Sequence, residues 1–190
     1  MNKGLKMNRN KTAILAIILV TFIVSSCKTS RISQTQMELV QYSLKKGDLP
    51  GNWIIEGKGW GADYGGQSYG IIYTREQSVF INHIVSLHSS ENRAKQAYVE
   101  WETERLNVTA LPPEILYIPL DENDDYTSDC VQTSPDSPVK VCIYLQRHGR
   151  IINFVRISFD NRSGNNLTLE EVNDVLTILD KRMNEVSIDG

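Results

Sequence analysis

The 190-residue chain has little of what catalytic and metal-binding motifs are built from. It holds three cysteines and three histidines, without the Cys and His spacing of a zinc finger. No Ser or Cys sits in a nucleophile motif near a histidine, so no catalytic residue is expected. There is no dense Lys/Arg stripe, which removes the electrostatic footprint needed for phosphate backbones and with it nucleic acid as a partner. An apolar run of about 20 residues, the length a spanning helix requires, is also missing. Charged residues at 23% and apolar residues at 41% are globular proportions, which exclude a disordered chain and a multi-span membrane protein. No cofactor is implied.

One shorter apolar run is present, Ala13 to Val24 (AILAIILVTFIV), preceded by Lys3, Lys6, Arg9 and Lys11 and followed by Ser25 and Ser26. Basic, apolar and small segments in that order form a signal peptide, and an uncleaved anchor is the alternative. No acid accompanies the four bases, so loss of residues 1–26 takes the net charge from −3 to −7. Val24-Ser25-Ser26-Cys27 resembles a bacterial lipobox, in which an aliphatic and two small residues precede the cysteine that receives lipid. The resemblance implies cleavage before Cys27 and a membrane partner reached through lipid on that residue. Two or more acyl chains make such a tether stable. Lys28, in place of Asp, favours the outer membrane in an organism with two membranes; with one, the outer face of the cell membrane is implied. Met7 is an alternative start, since Arg9 and Lys11 would still supply the basic end.

With Cys27 lipidated, Cys130 and Cys142 remain as an even pair in an oxidising compartment. A disulfide is the expected outcome and would contribute about 3 kcal/mol by loop entropy. Two zinc ligands are the alternative.

The organisation expected is a signal peptide over 1–26, a lipidated cysteine and tether over 27–34, and a single α+β domain over 35–190. Thr35 to Glu38 reads as a capping box for a short helix carrying Met37, Val40 and Leu44 and stopped by Gly47. After an Asp48-Leu49-Pro50-Gly51 turn, strands are predicted over Trp53 to Trp60, Tyr69 to Arg75 and Ser78 to His88, the last with Val79, Ile81, His83, Val85 and Leu87 on one face. Ser89 or Ser90 caps a helix with an Ala94, Ala97, Tyr98, Trp101, Arg105 stripe that ends near Leu106. Asn107 to Pro138 reads as a long connection with a short strand at Ile115 to Ile118. Val139 to Arg147 and Arg150 to Asp160 form a hairpin around His148-Gly149. Matching apolar residues across it pairs Ile143 with Val155, Val141 with Ile157 and Val139 with Phe159, which predicts a three-residue loop or a bulge beside Gly149. A second capping box, Thr168 to Glu171, opens a helix with Val172, Val175, Leu176, Leu179, Met183 and Val186 in one stripe. The order α-β-β-β-α-(β)-β-β-α, without βαβ alternation, predicts a twisted antiparallel sheet of five to six strands packed by helices.

Candidate sites are few. Gly57, Gly59, Gly61, Gly65, Gly66 and Gly70 cluster around Trp60, Tyr64 and Tyr69. Strands flank these glycines, which excludes a phosphate cradle at a helix start. A flexible aromatic lip or an ordinary hairpin fits instead. Asp121-Glu122-Asn123-Asp124-Asp125 imitates a calcium loop at three positions, but Tyr126 stands where glycine is required and Gln132 where the bidentate Glu should be. A solvated acidic loop, with no metal, is expected. His83 reads as a core residue, His88 faces the other way, and His148 lies in a turn. Phe80, Ile84, Tyr144, Ile152 and Phe154 fall opposite the predicted core, either as an exposed groove or as a second core layer under the first helix. The ligand-binding candidates are therefore Trp60, Tyr64, Tyr69, Phe80, Tyr144 and Phe154.

The Asp48-Leu49-Pro50 turn leading to Trp53, the apolar strand running into Ala94-x-x-Ala97-Tyr98, and the Gly149 hairpin ending in a capped helix resemble extracytoplasmic sensor-like domains. Such domains occur in bacterial lipoproteins and in the outer part of mycobacterial receptor serine/threonine kinases. The resemblance spans about Thr35 to Val186 and implies a cleft for an undefined ligand. A membrane-anchored, non-enzymatic module binding a small molecule, lipid or glycan is expected, with docking to an envelope protein as the alternative and an envelope enzyme as a third reading.

Overall fold

The computed structural model describes residues 34–75, 79–105, 117–121, 124–132, 139–160 and 167–187. The segment expected to be a signal peptide, Cys27 and the Pro112-Pro113 region lie outside them. Helix α1 is Gln34–Tyr42, followed by a 3-10 turn at Lys46–Asp48; β1 is Ile54–Asp63, β2 Gly66–Arg75, β3 Val79–Leu87, α2 Glu91–Arg105, β4 Asp125–Gln132, β5 Val139–His148, β6 Ile151–Asp160 and α3 Leu169–Ser187. The six strands form one antiparallel sheet in the order β1-β2-β3-β6-β5-β4, so two three-stranded meanders meet at β3 and β6. The class is α+β, as the element order requires.

The sheet is covered on both sides. On one face α1 and α3 bury Leu39, Tyr42, Val172, Val175, Leu176, Leu179 and Met183 against Val79, Ile81, Val85, Tyr144, Val155 and Ile157. On the other, α2 buries Ala94, Ala97, Tyr98 and Trp101 against Leu145, Ile152 and Phe154. The α2 and α3 stripes and the inward set of β3 are those the sequence periodicity predicts, but the first helix is turned: Met37 and Val40 are exposed while Leu39 and Tyr42 face the core, because the helix ends before Leu44 and that residue packs from the following turn. The second apolar face is thus a core layer at Ile152 and Phe154, under α2 and not the first helix, whereas Phe80 and Ile84 are only half-buried and Tyr144 belongs to the α1 and α3 side.

Local signals explain several element ends. Thr168 and Glu171 cap each other reciprocally at 2.7 and 3.1 Å, and the Arg93 N–H donates to the Ser90 hydroxyl at 3.3 Å. The first helix departs from expectation. It already includes Gln34, which puts Thr35 inside the first turn, and it stops at Tyr42, well before Gly47. It stops there because the Leu44 N–H donates to His83 Nδ1 at 3.0 Å, across the core, and not to a helix carbonyl. Arg182 of α3 then holds the 3-10 turn through two bonds to Asp48, at 2.6 and 2.7 Å, and one to the Ser43 carbonyl.

The glycine-rich stretch is strand, not lip. Strands β1 and β2 run on to a two-residue turn, Tyr64-Gly65, with φ of 47° and 81°, both positive as a type I′ hairpin requires. A register shift between Ile55 and Gly57 makes a bulge. Gly66 is fixed by packing, since a Cβ there would lie 2.7 Å from the His88 ring.

Two sequence expectations are corrected. The β5–β6 hairpin closes on Gly149-Arg150, pairing Ile143 with Arg156 and Val141 with Ser158. Tyr144 consequently opposes Val155, and Leu145 opposes Phe154. Apolar matching on a single face misled because helices cover both faces, so neither set of alternate residues is the solvent set. The strand in the long connection is Asp125–Gln132; Tyr117 and Ile118 are not strand, and Ile115 lies outside the described residues.

Candidate functional site

The side of the sheet covered by α2 is covered only in part. Over β1, β2 and β3 it leaves an open groove of about 390 Å³, lined by Gly57, Gly59, Gly61, Asp63, Ser68, Gly70, Ile72, Asn82 and Ile84 together with Lys58 and Trp60. Alternation along a strand creates its floor. Gly59 pairs with Gly70 and Gly61 with Ser68, so the three successive residues Gly57, Gly59 and Gly61 that face this side of β1 have no side chains and expose a shelf of peptide groups. A Cβ at Gly57 or Gly59 would meet nothing within 4 Å, so packing does not demand these glycines. Ile72 and Ile84 are the apolar wall; Asp63, Ser68 and Asn82 supply polar groups.

The groove ends where the hairpin tip meets α2. Tyr64 donates to Glu104 at 2.5 Å and its ring lies 5.5 Å from Trp101, which in turn meets Phe154 edge-on at 4.6 Å. On the same face the Arg156 guanidinium sits 5.6 Å above the Phe80 ring, a cation–π contact.

The six aromatic candidates do not share one surface. Tyr64 and Phe80 flank the groove side, and Phe154 is buried beneath α2. Trp60 stacks on Tyr69 at 4.4 Å on the opposite face, borders the groove with its backbone, and keeps 47% of its surface exposed. Tyr144 is buried on that same opposite face with its ring 6.0 Å from Tyr117. The glycines, and not the aromatics between them, make the concavity; a run of alternate glycines on one strand face was the signal for it.

A second polar cluster lies at the other side of the sheet, under α3. Asp180 is fully buried and accepts from the Tyr117 hydroxyl, the Leu120 N–H, Gln146 Nε2 and Asn184 Nδ2. The same Gln146 Nε2 donates to Asp124 at 2.8 Å, and Asp124 is 2.7 Å from His148 Nδ1. Hydrogen bonding to Asp124 holds the His148 imidazole above its ordinary pKa, against the opposing effect of burial. Burial and the bond to Asp180 push Tyr117 up to about 12. One member of the acidic run is not solvated as its sequence suggests: the Asp124 side chain is 3% exposed, while that of Asp125 is 48% exposed. His148 is the last residue of β5 and not part of a turn. Cys130 and Cys142, directly paired across β4 and β5, form a disulfide.

The remaining histidines serve the core. His83 accepts from Leu44 at Nδ1, so its proton is on Nε2 and is donated to Asn153 Oδ1; burial lowers its pKa to about 4. His88 is pulled down by burial, and the Ser86 hydroxyl 3.4 Å from its Nε2 is itself buried.

No protein-family model matches the chain, and no curated protein matches it significantly. Among solved structures, the extracellular domain of PknH from Mycobacterium tuberculosis is similar, at 10% sequence identity and a TM-score of 0.48, over 78% of this chain and 96% of that one.

Proposed function

We propose that the chain is an extracytoplasmic lipoprotein, tethered through lipid on Cys27, whose domain is a non-enzymatic ligand-binding module of a sensor-like kind. The observation that carries the reading is the glycine-floored groove. Its volume of about 390 Å³ falls in the range of small-molecule sites, which are concave, mostly apolar and oriented by a few polar groups. Bare peptide groups flanked by Ile72 and Ile84 suit a flat apolar body, and Asp63, Ser68 and Asn82 suit hydrogen-bonding substituents at its margin. Small molecules, envelope lipids and glycans can all present that chemistry.

The test is thermal shift and calorimetry on the full chain with fatty acids, phospholipids and short glycans as separate probes. At least one class is expected to raise Tm, and the rise should vanish in Gly59→Val, which fills the shelf. No response to any class, or a response that Gly59→Val leaves intact, would remove this groove as the site. The anchor is tested separately: Cys27→Ser should leave the membrane fraction, and retention there would assign anchoring to the apolar segment.

A second reading has its own observation. Among the described residues no strand pairs with the outer edge of β1, and Ile54, Ile55 and Trp60 on that strand are exposed. Such an edge can accept an added strand from an envelope protein. A photo-crosslinker at Ile54 that captures one defined partner, insensitive to Gly59→Val, would favour it.

A further inference from the structure

The loop that enters β4 and the end of β5 bring one ligand atom each from Asp121, Asp124 and His148 to within 4.8 Å of one another. We infer that these three residues form a site for a single first-row divalent cation, Zn²⁺ or Mn²⁺. Tetrahedral bonds of about 2.1 Å place ligand atoms roughly 3.4 Å apart, so the set, already within 4.8 Å, needs to close by about 1.4 Å at most. The positions are braced: the Asp124 N–H donates to the Asp121 carbonyl at 3.1 Å, and His148 is anchored in the β5–β6 ladder opposite Ile151.

Two further observations point to a ligand. Gln146 is fully buried, its Nε2 is held between Asp124 and Asp180, and its Oε1 has no hydrogen-bond partner among the described residues. That leaves a neutral oxygen donor on the carboxamide that touches the cluster. The charge is also unbalanced. Two almost wholly buried carboxylates, Asp124 and Asp180, meet a single imidazole among the described residues, and the four groups donating to Asp180 are neutral. Buried carboxylates are normally paired or bound to metal. An imidazole with two carboxylates suits a first-row ion, whereas Ca²⁺ takes six to eight oxygens. The site lies across the sheet from the groove and does not depend on it.

Isothermal titration and thermal shift on the full chain with Zn²⁺, Mn²⁺ and Ca²⁺ separately provide the test. Zn²⁺ or Mn²⁺ should bind at one equivalent and raise Tm. Asp121→Asn, which leaves the Asp124–His148 pair in place, should still unfold cooperatively without metal and should weaken binding at least ~10-fold. His148→Ala should abolish binding. Absence of saturable binding, binding of Ca²⁺ alone, or affinity unchanged in Asp121→Asn would overturn the assignment.

Discussion

The two edges of the sheet are built in opposite ways. At the β4 edge, side chains brace the strand from every side. A disulfide ties Cys130 to Cys142, Arg147 meets Asp125 at 2.6 Å, and Tyr98 donates to Thr127, which donates to Glu102 of α2. Asp125 and Asp129 also place charge on this edge, which discourages pairing with another chain. The β1 edge has glycine at three alternate positions, a bulge, and an Ile54 that is 67% exposed. Its backbone is held mainly by the β2 ladder. One edge spends its residues on closing the fold, while the other leaves peptide and apolar surface available to something else. Natural sheets usually protect exposed edges, so the unguarded one is where recognition is expected.

The largest effect should come from unbracing the β4 edge. Cys130→Ser with Cys142→Ser is expected to cost about 3 kcal/mol in urea unfolding, with hydrogen-exchange protection falling first in β4 and unchanged in β1 and β2. Equal loss of protection at both edges would mean that the disulfide does not brace β4 selectively.

The central strand should give a pH-dependent effect that stays smaller than this down to about pH 5. His83 is held neutral with a pKa near 4, against 6.5 when unfolded. Above pH 6.5 both states are neutral and the contribution is complete. As pH falls the unfolded chain takes up the proton first, so stability declines towards pH 4. At 1.36 kcal/mol per pH unit the loss is about 2 kcal/mol by pH 5 and about 3 by pH 4. An imidazole signal from His83 that titrates near 6.5 in the folded protein would refute it.

The smallest effect has the opposite sign. Gly59→Val adds a β-branched residue to a strand where the new Cβ meets nothing, and should stabilise by up to about 1 kcal/mol while blocking the groove. A destabilised variant would mean that β1 needs its glycines for the fold itself.

How much of this was legible depended on whether the determinant was local. Thr168 and Glu171 are three residues apart, and the α2 and α3 stripes repeat within a turn or two, so caps and buried faces could be read directly. Strand β4 could not. Asp125–Gln132 alternates polar residues without a hydrophobic set, and its strand identity comes from its partner β5. The groove was half legible: the glycines stood out, but only the register of β1 on β2 put them on one face with Ile72 and Ile84. The Asp180–Gln146–Asp124–His148 cluster joins residues from three distant segments and left no local pattern.

The sequence by itself determined the element types other than β4, the order that makes the chain α+β, and the inward residues of β3, α2 and α3. These rest on periodicity and on short-range caps, whose energies are set within a few residues. Tertiary structure alone decided the two-residue turn at Gly149-Arg150, the assignment of α2 to one face and α1 with α3 to the other, and the contrast between a braced and an open edge. With both faces covered, hydrophobic alternation no longer distinguishes core from solvent. Which side chains meet is then fixed by long-range pairing that no stretch of sequence encodes locally.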